Sequence, residues 1–114
     1  MKAIRLRQII ASKLANKNAY YGFNTGSFDE ENYKINYQIN NARLTEHERT
    51  YLLDFDVWCK DSVDVETITD ELEALFNYES YEEATFYLES RYHADEKEIY
   101  RRTLTYEVQT FKED

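Results

Sequence analysis

The sequence reads as an α+β domain, a two-layer sandwich in which an antiparallel sheet of about five strands carries two helices on one face, in the order α-β-β-β-α-β-β. Three observations predict it. Two segments repeat apolar residues at three- and four-residue spacing, the period of a helix. Four others alternate apolar with polar side chains, the period of a half-buried strand. The chain has 114 residues, no proline and only two glycines, so residues 1–114 have room for a single core and little irregular backbone.

The first helix is expected over Ala3 to Leu14, where Ala3, Leu6, Ile10 and Leu14 form a stripe widened by Ile4 and Ile9. Lys2, Arg5, Gln8, Ser12 and Lys13 make its polar side, and Asn16 to Asn18 mark its end. Ala19 to Phe23 is short and aromatic, and Asn24-Thr25-Gly26-Ser27 follows. Both glycines, Gly22 and Gly26, fall here, so backbone freedom concentrates in this loop; one reading is a segment that orders only against a partner, and the plainer one is a hairpin connection. Tyr33 to Asn40 alternates strictly, with Tyr33, Ile35, Tyr37 and Ile39 on one face. The polar stretch Asn41 to Glu48 is expected to turn the chain.

Arg49 to Lys60 places Tyr51, Leu53, Phe55, Val57 and Cys59 on one face. The opposite face, Thr50, Leu52, Asp54, Asp56 and Trp58, is mixed, as expected for a central strand in a sheet with one side partly wet. Asp61, Ser62 and Asp64 supply N-cap chemistry to a second helix ending near Asn77, in which Val65, Ile68, Leu72, Leu75 and Phe76 recur at helical spacing. Glu66, Asp70, Glu71 and Glu73 make its outer side acidic. Phe86, Leu88 and Tyr92, then Tyr100, Leu104, Tyr106 and Val108, define two strands expected to form a long hairpin through Ala94 to Lys97.

Composition narrows the function classes. Forty-two percent hydrophobic and 16% aromatic residues place the chain among folding sequences despite 32% charged residues. Cys59, alone, cannot form an internal disulfide or open a CxxC site, which suits a reducing compartment. No apolar run reaches the roughly 18–20 residues of a membrane span, and the N-terminal segment lacks the apolar region of a secretory signal, so a soluble, intracellular protein is expected. A basic amphipathic helix at this place also resembles a transit peptide or a membrane-surface segment, but a dozen residues without an aromatic anchor make that the weaker reading.

The net charge of -9 is unevenly placed: Met1 to Phe28 holds Lys2, Arg5, Arg7, Lys13 and Lys17 and no acid, while all 23 acidic side chains lie beyond. An acidic body argues against sequence-specific nucleic-acid binding, which needs a basic face to neutralise phosphates. The same asymmetry suits head-to-tail contacts between proteins, although a solvated acidic surface also explains it.

Signals for chemistry are thin. Asp54 and Asp56 project from one face of a strand, where two carboxylates can hold a divalent cation, but no third ligand is identifiable. Asp95-Glu96-Lys97 resembles the end of a nuclease motif, yet sits in an expected turn that would not hold it rigidly. His47 and His93 are far apart in sequence, and Cys59 continues an apolar face as a small buried hydrophobe. There is no Ser/His/Asp spacing and no glycine-rich phosphate loop. The expectation is no catalytic residue, no cofactor-binding residue, no metal ligand and no enzyme activity.

Eleven tyrosines are the oddity. Tyr33, Tyr37, Tyr51, Tyr92, Tyr100 and Tyr106 are core positions by alternation. Tyr20, Tyr21, Phe23 and Phe28 flank the glycine loop, and Tyr78 and Tyr81 follow the second helix, outside any such pattern. These six, with Arg5 and Arg7, are the interface candidates, because tyrosine combines apolar area with a polar tip.

Four segments carry a resemblance: Tyr33-Lys34-Ile35-Asn36-Tyr37-Gln38-Ile39, Arg49-Thr50-Tyr51-Leu52-Leu53-Asp54-Phe55-Asp56-Val57-Trp58, the helix with Leu72 and Leu75, and Tyr100-Arg101-Arg102-Thr103-Leu104-Thr105-Tyr106-Glu107-Val108. In order and spacing, over roughly residues 33–110, the chain resembles the tail-completion or tail-terminator proteins of long-tailed phages, which include the head-tail joining type. It departs from them in lacking the proline that commonly precedes the first tyrosine-rich strand, here around Glu31-Asn32, which bears on loop geometry.

The resemblance implies a late structural protein of the virion, made in the host cytoplasm and assembled as a six-membered ring at the head-proximal end of the tail. Its implied partners are copies of itself, the tail-tube protein and a head-completion or connector protein, with genome DNA passing through the ring and no membrane involved. Two other classes stand beside it. One is a small acidic phage inhibitor that mimics nucleic acid and blocks a host protein; the other is a metal-dependent enzyme using Asp54 and Asp56.

Overall fold

The first helix, α1 (Ala3–Lys13), buries Leu6 and Ile10 along the stripe the periodicity marks. In this computed structural model the described residues are 1–22, 32–76, 84–95 and 98–111. After α1 come β1 (Ala19–Tyr21), β2 (Tyr33–Leu44), β3 (Glu48–Cys59), α2 (Asp64–Phe76), β4 (Ala84–His93) and β5 (Tyr100–Phe111). The result is a mixed α+β fold with a five-stranded sheet in the order β1-β2-β3-β5-β4. β3 is the middle strand, as its two-sided sequence requires.

One face of the sheet and both helices share a single core. Ile35, Tyr37, Tyr51, Leu53, Phe55, Val57, Cys59, Phe86, Leu104, Tyr106 and Val108 are buried with Leu6 and Ile10 of α1 and Val65, Leu72 and Phe76 of α2. The Phe55 ring lies at its centre, 5.2 Å from Phe76 and 6.0 Å from both Tyr37 and Tyr106. Aromatic edges and faces at such distances add attraction beyond area burial. Lys13 of α1 reaches across to donate to the Leu75 carbonyl at 2.7 Å, joining the two helices. The N-terminal ammonium donates to the Phe111 carbonyl, and the Tyr51 hydroxyl donates to the Met1 carbonyl at 2.7 Å, so the chain start is fastened to the sheet.

Asp61 caps α2: its Oδ1 accepts from the backbone N–H of Val63 at 2.8 Å and of Asp64 at 2.9 Å. These two donors hold the Asp61 carboxyl below its usual range, since each favours the ionised form. Asp64 and Glu66 then occupy the first turn, where acids suit the helix dipole.

The structure corrects four expectations. The sheet is not wholly antiparallel, because β1 pairs in parallel with β2 through Ala19↔Ile35, Tyr20↔Asn36 and Tyr21↔Tyr37. A hairpin connection would have made the two strands antiparallel; instead β1, which ends at Tyr21 before Gly22 at φ 91°, runs in the same direction as β2. The first strand is also only three residues long.

β2 does not stop at Asn40. It pairs with β3 as far as Leu44↔Arg49, with a register shift between Asn41 and Arg43, and the turn is confined to residues 45–47. Thr45 closes that turn, its Oγ1 accepting from the Glu48 N–H at 3.0 Å. Tyr92, read as a core residue, is 54% exposed. A bulge between Leu88 and Ser90 reverses the parity of β4, so that Tyr92 pairs with Thr103 on the outer face while Arg91 takes the helix-covered face opposite Leu104.

Candidate assembly surface

The sheet face away from the described helices carries a cross-strand polar lattice. Asp56 on β3 accepts from Arg101 Nε at 3.1 Å, Arg101 Nη2 at 2.9 Å and Thr103 Oγ1 at 2.8 Å. Its neighbour Asp54 accepts from Thr105 Oγ1 at 2.9 Å and Asn40 Nδ2 at 3.4 Å. The Arg101 guanidinium also lies over the Trp58 ring, 4.6 Å from its centroid. Both carboxylates are thus held by hydroxyls, an amide and a guanidinium, and among the described residues no three metal-ligating side chains come together.

His47 and His93 lie at opposite ends of the sheet: Glu48, next to His47, pairs with Phe111, whereas His93 pairs with Arg102. Cys59 is buried on the core face. Of Asp95-Glu96-Lys97, only Asp95 is among the described residues, and its carboxylate accepts from Arg102 Nη1 at 2.5 Å, which holds Asp95 below the ordinary carboxylate range.

On the flank where α2 meets β4, charge is concentrated. Arg91, turned inward by the bulge, donates to Asp70 at 2.8 Å, to Glu66 at 2.9 Å and to Glu73. Arg102, buried on the core face, donates to Glu66 at 2.5 Å and to Asp95. Two guanidiniums therefore serve four carboxylates, and the side chain of Asp70 remains 69% exposed. Glu89, at the bulge itself, is pushed above the usual carboxylate range by a hydrogen bond it shares with Glu107. This edge also exposes Leu88 and Tyr92.

The opposite flank is basic. Arg7 of α1 lies over the Tyr21 ring at 3.7 Å, and Tyr21 meets Tyr37 edge to face at 5.3 Å. The Tyr21 hydroxyl accepts from the Ile39 N–H at 3.2 Å, covering the edge of β2 just beyond the end of β1. Ile4, three positions before Arg7 and so on the same side of the helix, is 60% exposed.

Of the interface residues expected from sequence, Arg7 and Tyr21 are brought into contact. Arg5 is exposed on α1, and Tyr20 is half-buried on the sheet face opposite to Tyr21, paired with Asn36. Phe23, Phe28, Tyr78 and Tyr81 lie outside the described residues. Sequence reasoning missed the exposed apolar side chains that sit on strands: Leu44 at 56%, Phe111 at 72%, Leu52, Leu88 and Tyr92. Leu52 was signalled by its mixed face, but Leu88 and Tyr92 depend on the bulge. At the tip of the β2–β3 hairpin, Asn41, Ala42, Arg43, Leu44 and Arg49 line an open concavity of about 290 Å³.

No family model matches the chain, and no curated protein matches it. Among solved structures, one whose designation is a serial number without a functional name is similar over 99% of this chain and 99% of its own, with a TM-score of 0.61 and 14% identity. At that identity the likeness bears on the fold. No helix of the described residues is long and apolar enough to cross a membrane.

Proposed function

We propose that this chain is a structural subunit of a long-tailed phage particle, of the tail-completion or tail-terminator kind, which closes into a ring on the head-proximal end of the tail tube and receives the head connector. The observation that carries the reading is where the apolar surface is left. Leu44, Leu52 and Phe111 stay exposed along strands and strand ends, and Leu88 and Tyr92 stay exposed beside the charge cluster of the β4 edge, where they suit contacts between proteins. The order and spacing of the tyrosine-rich strands and of the Tyr100-Arg101-Arg102 segment support it.

In this role the protein makes and breaks no bond. It works by presenting surfaces to further copies, to the tube protein and to the connector, in the virion at the head-tail interface. The acidic body favours a lumen that repels phosphates, so that genome DNA slides through without adhering. The nucleic-acid-mimic reading is less well supported, since Glu66, Asp70 and Glu73 converge on Arg91 and do not spread into a phosphate-like row.

The test is negative-stain imaging of tails assembled with and without the protein. Overlong or headless tails in its absence, restored by adding it, are the expected result. Tails of normal length that join heads without it would overturn the proposal.

A further inference from the structure

The two end strands of the sheet stand on flanks whose exposed side chains differ in a way that makes them fit each other. β1 and β4 are the end strands of the order β1-β2-β3-β5-β4, so their flanks lie about 20 Å apart, at roughly 4.8 Å per strand spacing. Among the described residues no strand pairs with the outer edge of β4, and none covers β2 beyond Tyr37 on its β1 side. The β4 flank joins exposed Leu88 and Tyr92 to Glu89 and to a charge cluster in which four carboxylates outnumber two guanidiniums. The β1 flank joins exposed Ile4 to Arg7 within Met1–Phe28, which holds five basic residues and no acid.

Each flank thus offers an apolar side chain beside charge of one sign, and the signs are opposite. Two equal flanks would favour a two-fold dimer; unequal and complementary ones favour head-to-tail contact, which closes into a ring or runs on as a filament. We infer that the binding partner of the β4–α2 flank is a second copy of this chain, seated by its α1–β1 flank, with Leu88, Glu89 and Tyr92 of one copy against Ile4 and Arg7 of the next. This rests on the ring-subunit reading above and assigns the surfaces that build it.

Cross-linking with a short bis-maleimide reagent tests the assignment, because the natural Cys59 is buried. Two single variants, Ile4→Cys and Leu88→Cys, are mixed in equal amounts, at high concentration and again on purified tail tubes. A cross-linked pair in the mixture, with little or none in either variant alone, is the expected result. The double variant should form a ladder of linked chains.

Arg7→Glu should weaken the mixed cross-link roughly tenfold, and so should Glu89→Lys, while the pair carrying both changes regains it. That recovery separates lost contact from lost folding. Cross-links within a single variant alone, or no response to the charge exchange, would overturn the head-to-tail assignment and leave the ring reading standing. A wild-type chain that stays monomeric even on tail tubes would overturn both.

Discussion

The Tyr106 hydroxyl is buried between α2 and the sheet and has no hydrogen-bond partner among the described residues, while burial pushes its pKa above the ordinary tyrosine range. A buried hydroxyl without a partner costs free energy that a ring without it does not, so Tyr106→Phe is expected to raise stability by up to about 1 kcal/mol. A chemical-denaturation midpoint below that of the parent would contradict this. The alternation that places Tyr106 in the core was plain in the sequence; the state of its hydroxyl was not, because it depends on what α2 brings over it. Arg102 shows the same division. Its even position in β5 puts it on the core face, but only the approach of Glu66 and Asp95 explains how a guanidinium can stay there.

Elements whose own pattern decides them were legible, and those decided by a neighbour were not. α2 starts where Asp61 can cap it and ends where its apolar stripe ends. Asp61→Ala should therefore lower the thermal midpoint at neutral pH. Because the folded Asp61 carboxyl titrates below its unfolded value, the cap's contribution is complete above the usual carboxylate range and fades as pH falls through the lowered value. Parent and variant should converge in acid; a constant difference down to low pH would refute the capping role. By contrast, β1 is three residues whose direction shows only in its parallel pairing with β2, and the bulge in β4 replaces one parity with the other midway along a strand. Neither leaves a mark in the residue pattern, and so the exposure of Tyr92 and the inward turn of Arg91 onto the acidic side of α2 are not legible in it.

The whole molecule, 47 Å long and about 20 Å across, is one core stretched along twelve-residue strands. Phe55 touches rings from β2, β5 and α2, so its removal opens a cavity that no single element can fill. Phe55→Ala is expected to cost about 3–5 kcal/mol and to melt both helices and the sheet in one transition. Separate transitions for α1 and α2 would show that the shared core does not couple them. The α+β class and the central place of β3 came directly from periodicity, while the candidate surface came mostly from topology, because opposite charges in sequence become opposite flanks only once the strand order is fixed.

That strand order also dictates how the protein is made. β5 is inserted between β3 and β4, both synthesised before it. Until it arrives, β3 and β4 each lack the partner that β5 provides, so nascent chains are most prone to clump in that interval. Closure of such distant segments is slow, on the order of milliseconds to seconds. Each chain thus escapes that interval only by completing its sheet before it meets another.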